Sequence, residues 1–149
     1  MENSISMTYT TSMMYSTEKN IDSNKIDSLF KAVGWETRGQ EKCKEMLLKS
    51  SFVFSVWDGE NLIGFSRILE DGIMCMFYDV CVHPDYQRKG IGRKIMETLI
   101  DQTKDKHYIS VGLFVSEENP AATIFYEKFG FKEINGGMEL VKYMDTNFQ

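Results

Sequence analysis

Six residues past the middle of the chain, Gln87-Arg88-Lys89-Gly90-Ile91-Gly92, have the types and spacing to hold an anion. Gly90 and Gly92 carry no side chain, so the backbone there can approach a ligand closely and adopt positive φ. The apolar spacing that follows, Ile91, Ile95, Met96, Leu99, Ile100 and Thr103, predicts a helix. The first-turn N–H groups of such a helix lack intrahelical acceptors and lie at the positive end of its dipole, where a phosphate or pyrophosphate binds well. Arg88, Lys89, Arg93 and Lys94 place four of the 17 basic residues within seven positions, in a chain of net charge −5. A lone Gly-x-Gly would read more plainly as an ordinary strand-to-helix turn with solvated basic residues. The two familiar nucleotide loops do not match, because the sequence has neither Gly-Lys-Ser/Thr nor a third glycine for a dinucleotide fingerprint.

A second cluster is Asn119-Pro120-Ala121-Ala122, followed by Phe125-Tyr126-Glu127-Lys128-Phe129-Gly130-Phe131. Asparagine at N-cap and proline at N1 open a helix, and Gly130 closes it at C′. Phe125 and Phe129 form an i, i+4 core pair. Tyr126, one step past Phe125, falls at the edge of that buried face.

The elements that must position these clusters can be read along the chain. Ile5, Met7, Tyr9, Met13 and Tyr15 alternate as in a half-buried strand. Asp22 or Ser23 caps a helix with Ile26, Leu29, Phe30 and Val33 on one face, ended by Gly34, and a shorter helix surrounds Cys43, Met46 and Leu47. Phe52, Phe54 and Val56 begin a strand that turns at Asp58-Gly59, and its partner runs from Leu62 to Leu69 before a second reversal at Asp71-Gly72. Ile73 to Val82 is almost wholly apolar, as for a central strand covered on both faces, and His83-Pro84 ends it. Tyr108 to Val115 is strand-like, and Phe131–Ile134 with Met138–Met144 predict a hairpin around Asn135-Gly136-Gly137. Consecutive strands in the first half suggest antiparallel pairing, while the later strand-helix-strand units require a parallel pair. The expected class is α/β: a mixed, mostly antiparallel twisted sheet with helices on both faces.

At 149 residues, 42% hydrophobic and 13% aromatic, the chain can fill one core over residues 1–149 without metal or disulfides. Cys43, Cys75 and Cys81 are odd in number and lack metal-ligand spacing, so they read as reduced thiols in a cytoplasmic protein. No stretch is long enough to span a bilayer, and Met1 to Asn20 has neither the basic lead nor the apolar core of a signal peptide. The acidic balance argues against nucleic acid as the main partner. No membrane partner is indicated, and a homodimer stays open.

Gln87, Gly90 and Gly92 fit the acyl-CoA loop Gln/Arg-x-x-Gly-x-Gly/Ala of the GNAT N-acetyltransferase superfamily, which the chain resembles. Asp79-Val80-Cys81-Val82-His83-Pro84-Asp85-Tyr86 also looks like the strand and loop that precede it in many bacterial members. The cluster from Asn119 to Phe131 resembles the later motif, in which an Asn starts a helix and a Tyr on it faces the thioester. The resemblance covers nearly all of residues 50–144 and is weak before them. It implies acetyl-CoA as cosubstrate, with the amides of Arg88, Lys89, Gly90, Ile91, Gly92 and Arg93 wrapping the pyrophosphate. It further implies that the backbone of Val80, Cys81 and Val82 pairs with the pantetheine arm, and that Asn119 and Tyr126 stand at the coenzyme.

Direct transfer to an amine requires loss of a proton from the amine, stabilisation of the oxyanion and protonation of the thiolate. Tyr126 matches the general acid of many members, and an ordinary phenol, pKa about 10, is protonated at neutral pH. Asp79 is a candidate base, although its parity turns it away from Val80 and Val82 and buried carboxylates are common structural acceptors. Tyr78, or water relayed to a backbone carbonyl, competes with it. No residue set suggests a metal or a covalent acyl-enzyme. For the acceptor, Gly34-Trp35-Glu36, Glu70-Asp71 and Met74 to Tyr78 offer acid beside aromatic surface, with Trp35 and Tyr78 as contacts. That surface suits a small cationic or aromatic amine. Acetylation of protein N-termini or lysines, and a non-catalytic acyl-CoA-binding module, are the rival readings.

Overall fold

The computed structural model describes residues 13–140, so Ile5, Met7 and Tyr9 of the expected first strand lie outside the described residues. Two compact units meet in sequence between Phe114 and Val115. The first carries strand β1 (Met13–Ser16), helices α1 (Ser23–Ala32) and α2 (Gly39–Lys49), and strands β2 (Phe52–Asp58), β3 (Asn61–Glu70) and β4 (Met74–Val82). A 3-10 turn (Pro84–Tyr86), helix α3 (Ile91–Thr103) and strand β5 (Ser110–Leu113) complete it. The second carries helix α4 (Pro120–Glu127).

The five strands lie in chain order in one sheet. β1 to β4 pair antiparallel, and β4 pairs with β5 in parallel through the α3 crossover. Val53 and Arg67 are register partners, as are Ser55 and Phe65, so these four share one face. Val53 and Phe65 join Ile26, Leu29, Phe30, Cys43 and Leu47 of α1 and α2 in one buried cluster. The opposite face takes α3. Gly64 lies there, where a β-carbon would stand 3.3 Å from Ile95 Cδ1 and 3.2 Å from Val56 Cβ, so its missing side chain admits the helix. The α3 stripe buries Ile91, Ile95, Met96 and Leu99, and Asp22 caps α1 by accepting from the Asn24 amide at 2.9 Å.

Three expectations are corrected. β4 is not covered along both faces: burial alternates, with Cys75, Phe77 and Cys81 buried and the residues between them partly exposed. Apolar composition cannot reveal that β5 pairs with only the first half of β4, from Met74 to Phe77. β5 itself is four residues long, shorter than Tyr108–Val115. No strand forms among the described residues 131–140. Ile134 and Met138 stay 84% and 99% exposed there, so burial gives no support to the part of the expected hairpin that is described. Residues 141–144 of that hairpin lie outside the described residues. No helix among the described residues is long and apolar enough to cross a membrane.

Candidate active site

The anion loop begins where β4 ends. The His83 amide donates to the Ile63 carbonyl at 2.7 Å, and the His83 ring accepts from the Asp85 amide at 3.1 Å. The Gln87 side-chain amide then donates to the Val82 carbonyl at 3.1 Å, which folds the loop back onto the strand. Two residues turn into the left-handed region, Arg88 at φ 64° and Gly90 at φ 81°. Gly90 is the N-cap of α3, and no side chain caps that helix. A β-carbon on Gly90 would have no protein atom within 4 Å, so open space lies above the helix start. The Lys89 and Lys94 ammonium groups sit over the rings of Tyr86 and Tyr15, at 5.7 and 5.3 Å. An uncapped helix N-terminus, open space over a glycine and four nearby basic side chains fit a phosphate-bearing ligand.

Asp79 lies at an irregularity in β4. Phe65 pairs with Cys81 and Arg67 with Tyr78, so Asp79 and Val80 together oppose Ser66. This is a β-bulge, and Asp79 takes its left-handed position at φ 57°. Both carboxylate oxygens are held by arginines: Arg38 donates to each at 2.7 Å, and Arg67 Nε donates at 2.6 Å. The Arg67 guanidinium lies 5.1 Å from the Tyr78 ring centroid, and Tyr78 meets Phe114 at 6.4 Å. Burial works to raise the Asp79 pKa, but the hydrogen bonds and charges of Arg38 and Arg67 outweigh it and hold the carboxyl below its usual range.

A carboxyl depressed in the folded state contributes stability above its unfolded pKa of about 3.9, and that contribution is lost as pH falls through the folded value. Asp79→Asn is therefore expected to destabilise at pH 7 by about 2 kcal/mol, below the full cost of breaking a buried pair because Arg38 is partly exposed. The difference should begin to shrink below about pH 4, where the carboxyl of the unfolded chain takes up its proton, and close as pH falls through the lower folded value. Thermal unfolding of both proteins between pH 7 and 3 checks this, and a gap independent of pH would remove the ion pairs as its cause.

The segment between α1 and α2 is fixed from below. Asp27 accepts from the amides of Arg38 and Gly39 at 2.8 and 2.9 Å. Phe30 lies 4.4 Å beneath the Arg38 guanidinium and packs on Trp35 with ring centroids 5.5 Å apart. Trp35 is half-covered by this contact and stays 39% exposed. Two of the acids expected to attract a cation, Glu70 and Asp71, are engaged locally. Asp71 accepts from the amides of Ile73 and Met74 at 2.9 and 2.8 Å, and Glu70 accepts from the Gly72 amide at 2.7 Å. Burial pushes the Cys43 and Cys75 thiols up to about 11 and raises Cys81 further, which leaves all three protonated at neutral pH.

In the second unit, Asn119 Oδ1 accepts from the Ala122 amide at 3.2 Å and starts α4. Tyr126 is partly buried between Phe125 and Phe131, at centroid distances of 5.3 and 6.2 Å. Gly130 takes φ 95° just past the helix, and the Phe131 amide donates to the Tyr126 carbonyl at 3.4 Å.

Arg38 and Arg67 were missed as site residues. Arg67 stands in a mostly apolar strand, on the core-facing side with Phe65. A charge there requires a buried counter-charge, and Asp79 is the one carboxylate in β4, on one side of β3.

Comparison with known proteins agrees with this architecture. The family model for the acetyltransferase (GNAT) domain matches residues 49–133, running through both units. The uncharacterized N-acetyltransferase ycf52 of Pyropia yezoensis is 33% identical over 121 residues, 78% of this chain and 68% of that protein. The [ribosomal protein bS18]-alanine N-acetyltransferase of Escherichia coli is 32% identical over 96 residues, 56% of this chain and 64% of that protein. A probable acetyltransferase of unknown function from meticillin-resistant Staphylococcus aureus shares the fold, with TM-score 0.77 at 24% identity over 86% of this chain and 98% of that one. The chain belongs to the GNAT acetyltransferase family. It is an N-acetyltransferase, and acetyl-CoA is the cosubstrate that its family uses.

Proposed function

We propose that this enzyme acetylates the α-amino group of a polypeptide N-terminus. The observation that carries this reading is the engagement of Asp79. With both oxygens held by two guanidiniums, Asp79 is a poor proton acceptor, and the cluster carries an excess positive charge that disfavours a polycation. An acceptor that needs little help in losing its proton suits such a site. An α-amine of pKa about 7.8 is about a third neutral at pH 7.5, whereas a lysine-type amine of pKa about 10.4 is neutral in about one part per thousand. The E. coli relative, named for acetylating an alanine of ribosomal protein bS18, lends support from sequence.

In this reading the backbone from Arg88 to Arg93 and the basic side chains around it take the coenzyme diphosphate, with Gln87 closing the loop onto Val82. The free edge of Val80 to Val82 receives the pantetheine arm, and Asn119 sets the start of the helix that carries Tyr126. Acetyl-CoA supplies the activated acyl group. The amine nitrogen bonds to the thioester carbon and the carbon–sulfur bond breaks. Tyr126 donates its proton to the departing sulfur, and the amine proton leaves to water. Trp35 and Tyr78 form walls for the residues that follow the acceptor amine.

CoA release with four acceptors tests the choice: a lysine-free hexapeptide with a free N-terminal alanine, an N-blocked peptide containing lysine, spermidine and phenethylamine. The free-N-terminal peptide is expected to give kcat/KM at least tenfold above the others at pH 7.5. Faster turnover of spermidine or phenethylamine would favour the small cationic or aromatic amine, and faster turnover of the blocked peptide would favour lysine.

A further inference from the structure

The linkage of Arg38 to Asp79 joins two parts of the molecule far apart in sequence. Asp79 belongs to the β4 bulge, while Arg38 ends the segment that carries Trp35 and Glu36. The bulge position is left-handed, where glycine is the usual residue because a β-carbon is disfavoured. An aspartate there needs a compensating reason, and its carboxylate supplies one. Two parallel bonds of 2.7 Å from one guanidinium set both distance and orientation, as a single point charge cannot. Arg67 already provides one full counter-charge at 2.6 Å, so charge balance does not require Arg38. The side chains of Asp79, Arg67 and Arg38 are 10%, 16% and 32% exposed, which places Arg38 at the solvent-facing end of the cluster.

The other contacts of Arg38 serve the same end. Its own amide is held by Asp27, its guanidinium lies on Phe30 and donates to Met46 Sδ of α2 at 2.9 Å, and Phe30 also packs on Trp35. The segment from Trp35 to Arg38 is thereby fixed to helix α1 beneath it and to the β4 bulge beside it. Stability alone does not account for this arrangement, because an apolar pair of similar volume commonly stabilises as well as a buried ion pair.

We propose that Arg38 is a positioning residue for the acceptor: its forked bond to Asp79 holds the Trp35–Glu36 segment at a fixed place beside the bulge, where the acceptor is received. This rests on the reading that the acceptor approaches across Trp35 and Tyr78. Arg38 takes no part in proton transfer or in holding the coenzyme.

Two variants test it. Arg38→Met keeps an apolar stem on Phe30 and leaves one arginine for one aspartate. Arg38→Lys keeps the charge and loses the fork. Kinetics are measured with acetyl-CoA and the free-N-terminal alanine hexapeptide, or with whichever of the four acceptors above is turned over fastest. The KM for the acceptor is expected to rise about 10-fold in Arg38→Met and to be only partly restored in Arg38→Lys, with the KM for acetyl-CoA within about twofold of wild type. The pH profile of kcat should keep its shape in both. A fall in Tm with both KM values unchanged would make Arg38 structural only and overturn the proposal. Equal rises in both KM values would also overturn it, because they would signal general loosening. If Arg38→Met does not fold, Arg38→Lys decides alone: an unchanged acceptor KM there refutes the role of the fork. Choosing the fastest acceptor keeps this result separate from the polypeptide assignment, which stands or falls on the ranking of the four acceptors.

Discussion

Replacing Tyr126 with phenylalanine is expected to lower kcat about 10²-fold while leaving acetyl-CoA binding intact. The substitution removes one hydroxyl and keeps the ring, so the contacts with Phe125 and Phe131 at 5.3 and 6.2 Å survive. The Asn119 cap that starts the helix is untouched. The lost function is then proton donation to the departing sulfur, which a phenylalanine cannot provide and bulk water replaces poorly. The alkaline limb of the kcat profile should shift or vanish with the phenol. A thermal-shift titration with acetyl-CoA separates binding from chemistry in the same preparation. Wild-type kcat on the best acceptor would remove Tyr126 from the reaction and leave it a packing residue.

Gly90→Glu should abolish most of the stabilisation that acetyl-CoA confers. Ligand at 100 times its Kd raises stability by about 2.7 kcal/mol when it binds only the native state. The geometry at Gly90 lets strain and charge be told apart. Its φ of 81° disfavours any side chain, yet a β-carbon there meets no protein atom within 4 Å. Gly90→Ala and Gly90→Glu therefore share a backbone cost of about 1 kcal/mol, but only glutamate sends a negative charge into the space over the helix start. Alanine should keep most of the acetyl-CoA shift and glutamate should lose it. An undiminished shift in Gly90→Glu would mean that the coenzyme is held elsewhere.

Features set by neighbouring residues were the legible ones. The left-handed Gly90 at the helix start, the Asp22 and Asn119 caps and the α3 stripe all depend on residues within one or two helical turns, and they are found where spacing places them. Gly92, expected to share the positive φ, instead lies inside helix α3. The acids Glu70 and Asp71 were read as attracting a cation, although their position at a Gly72 turn already suggested that their oxygens would serve nearby amides. The Arg38–Asp79 fork joins residues 41 positions apart, and no local periodicity signals such a pairing. The burial of β4 was overestimated for a similar reason, since the length of its pairing with β5 is a property of the sheet. Gly136 takes a positive φ of 107°, as a turn glycine can, but no turn or strand forms among the described residues 131–140.

The pairing of β4 with β5 has one more consequence. It stops at Phe77 and Leu113, while β4 continues to Val82. From Tyr78 onward the strand shows its neighbour's side to no other strand among the described residues, although it lies well inside the order of the sheet. Natural proteins usually bury, charge or shorten such edges, because a bare row of amides and carbonyls is a template for any extended chain. Under the proposed reading, the pantetheine arm of acetyl-CoA would close this opening. The same opening in concentrated, ligand-free protein is where a second molecule's strand would dock, so self-association on warming should respond to free CoA as well as to salt and pH.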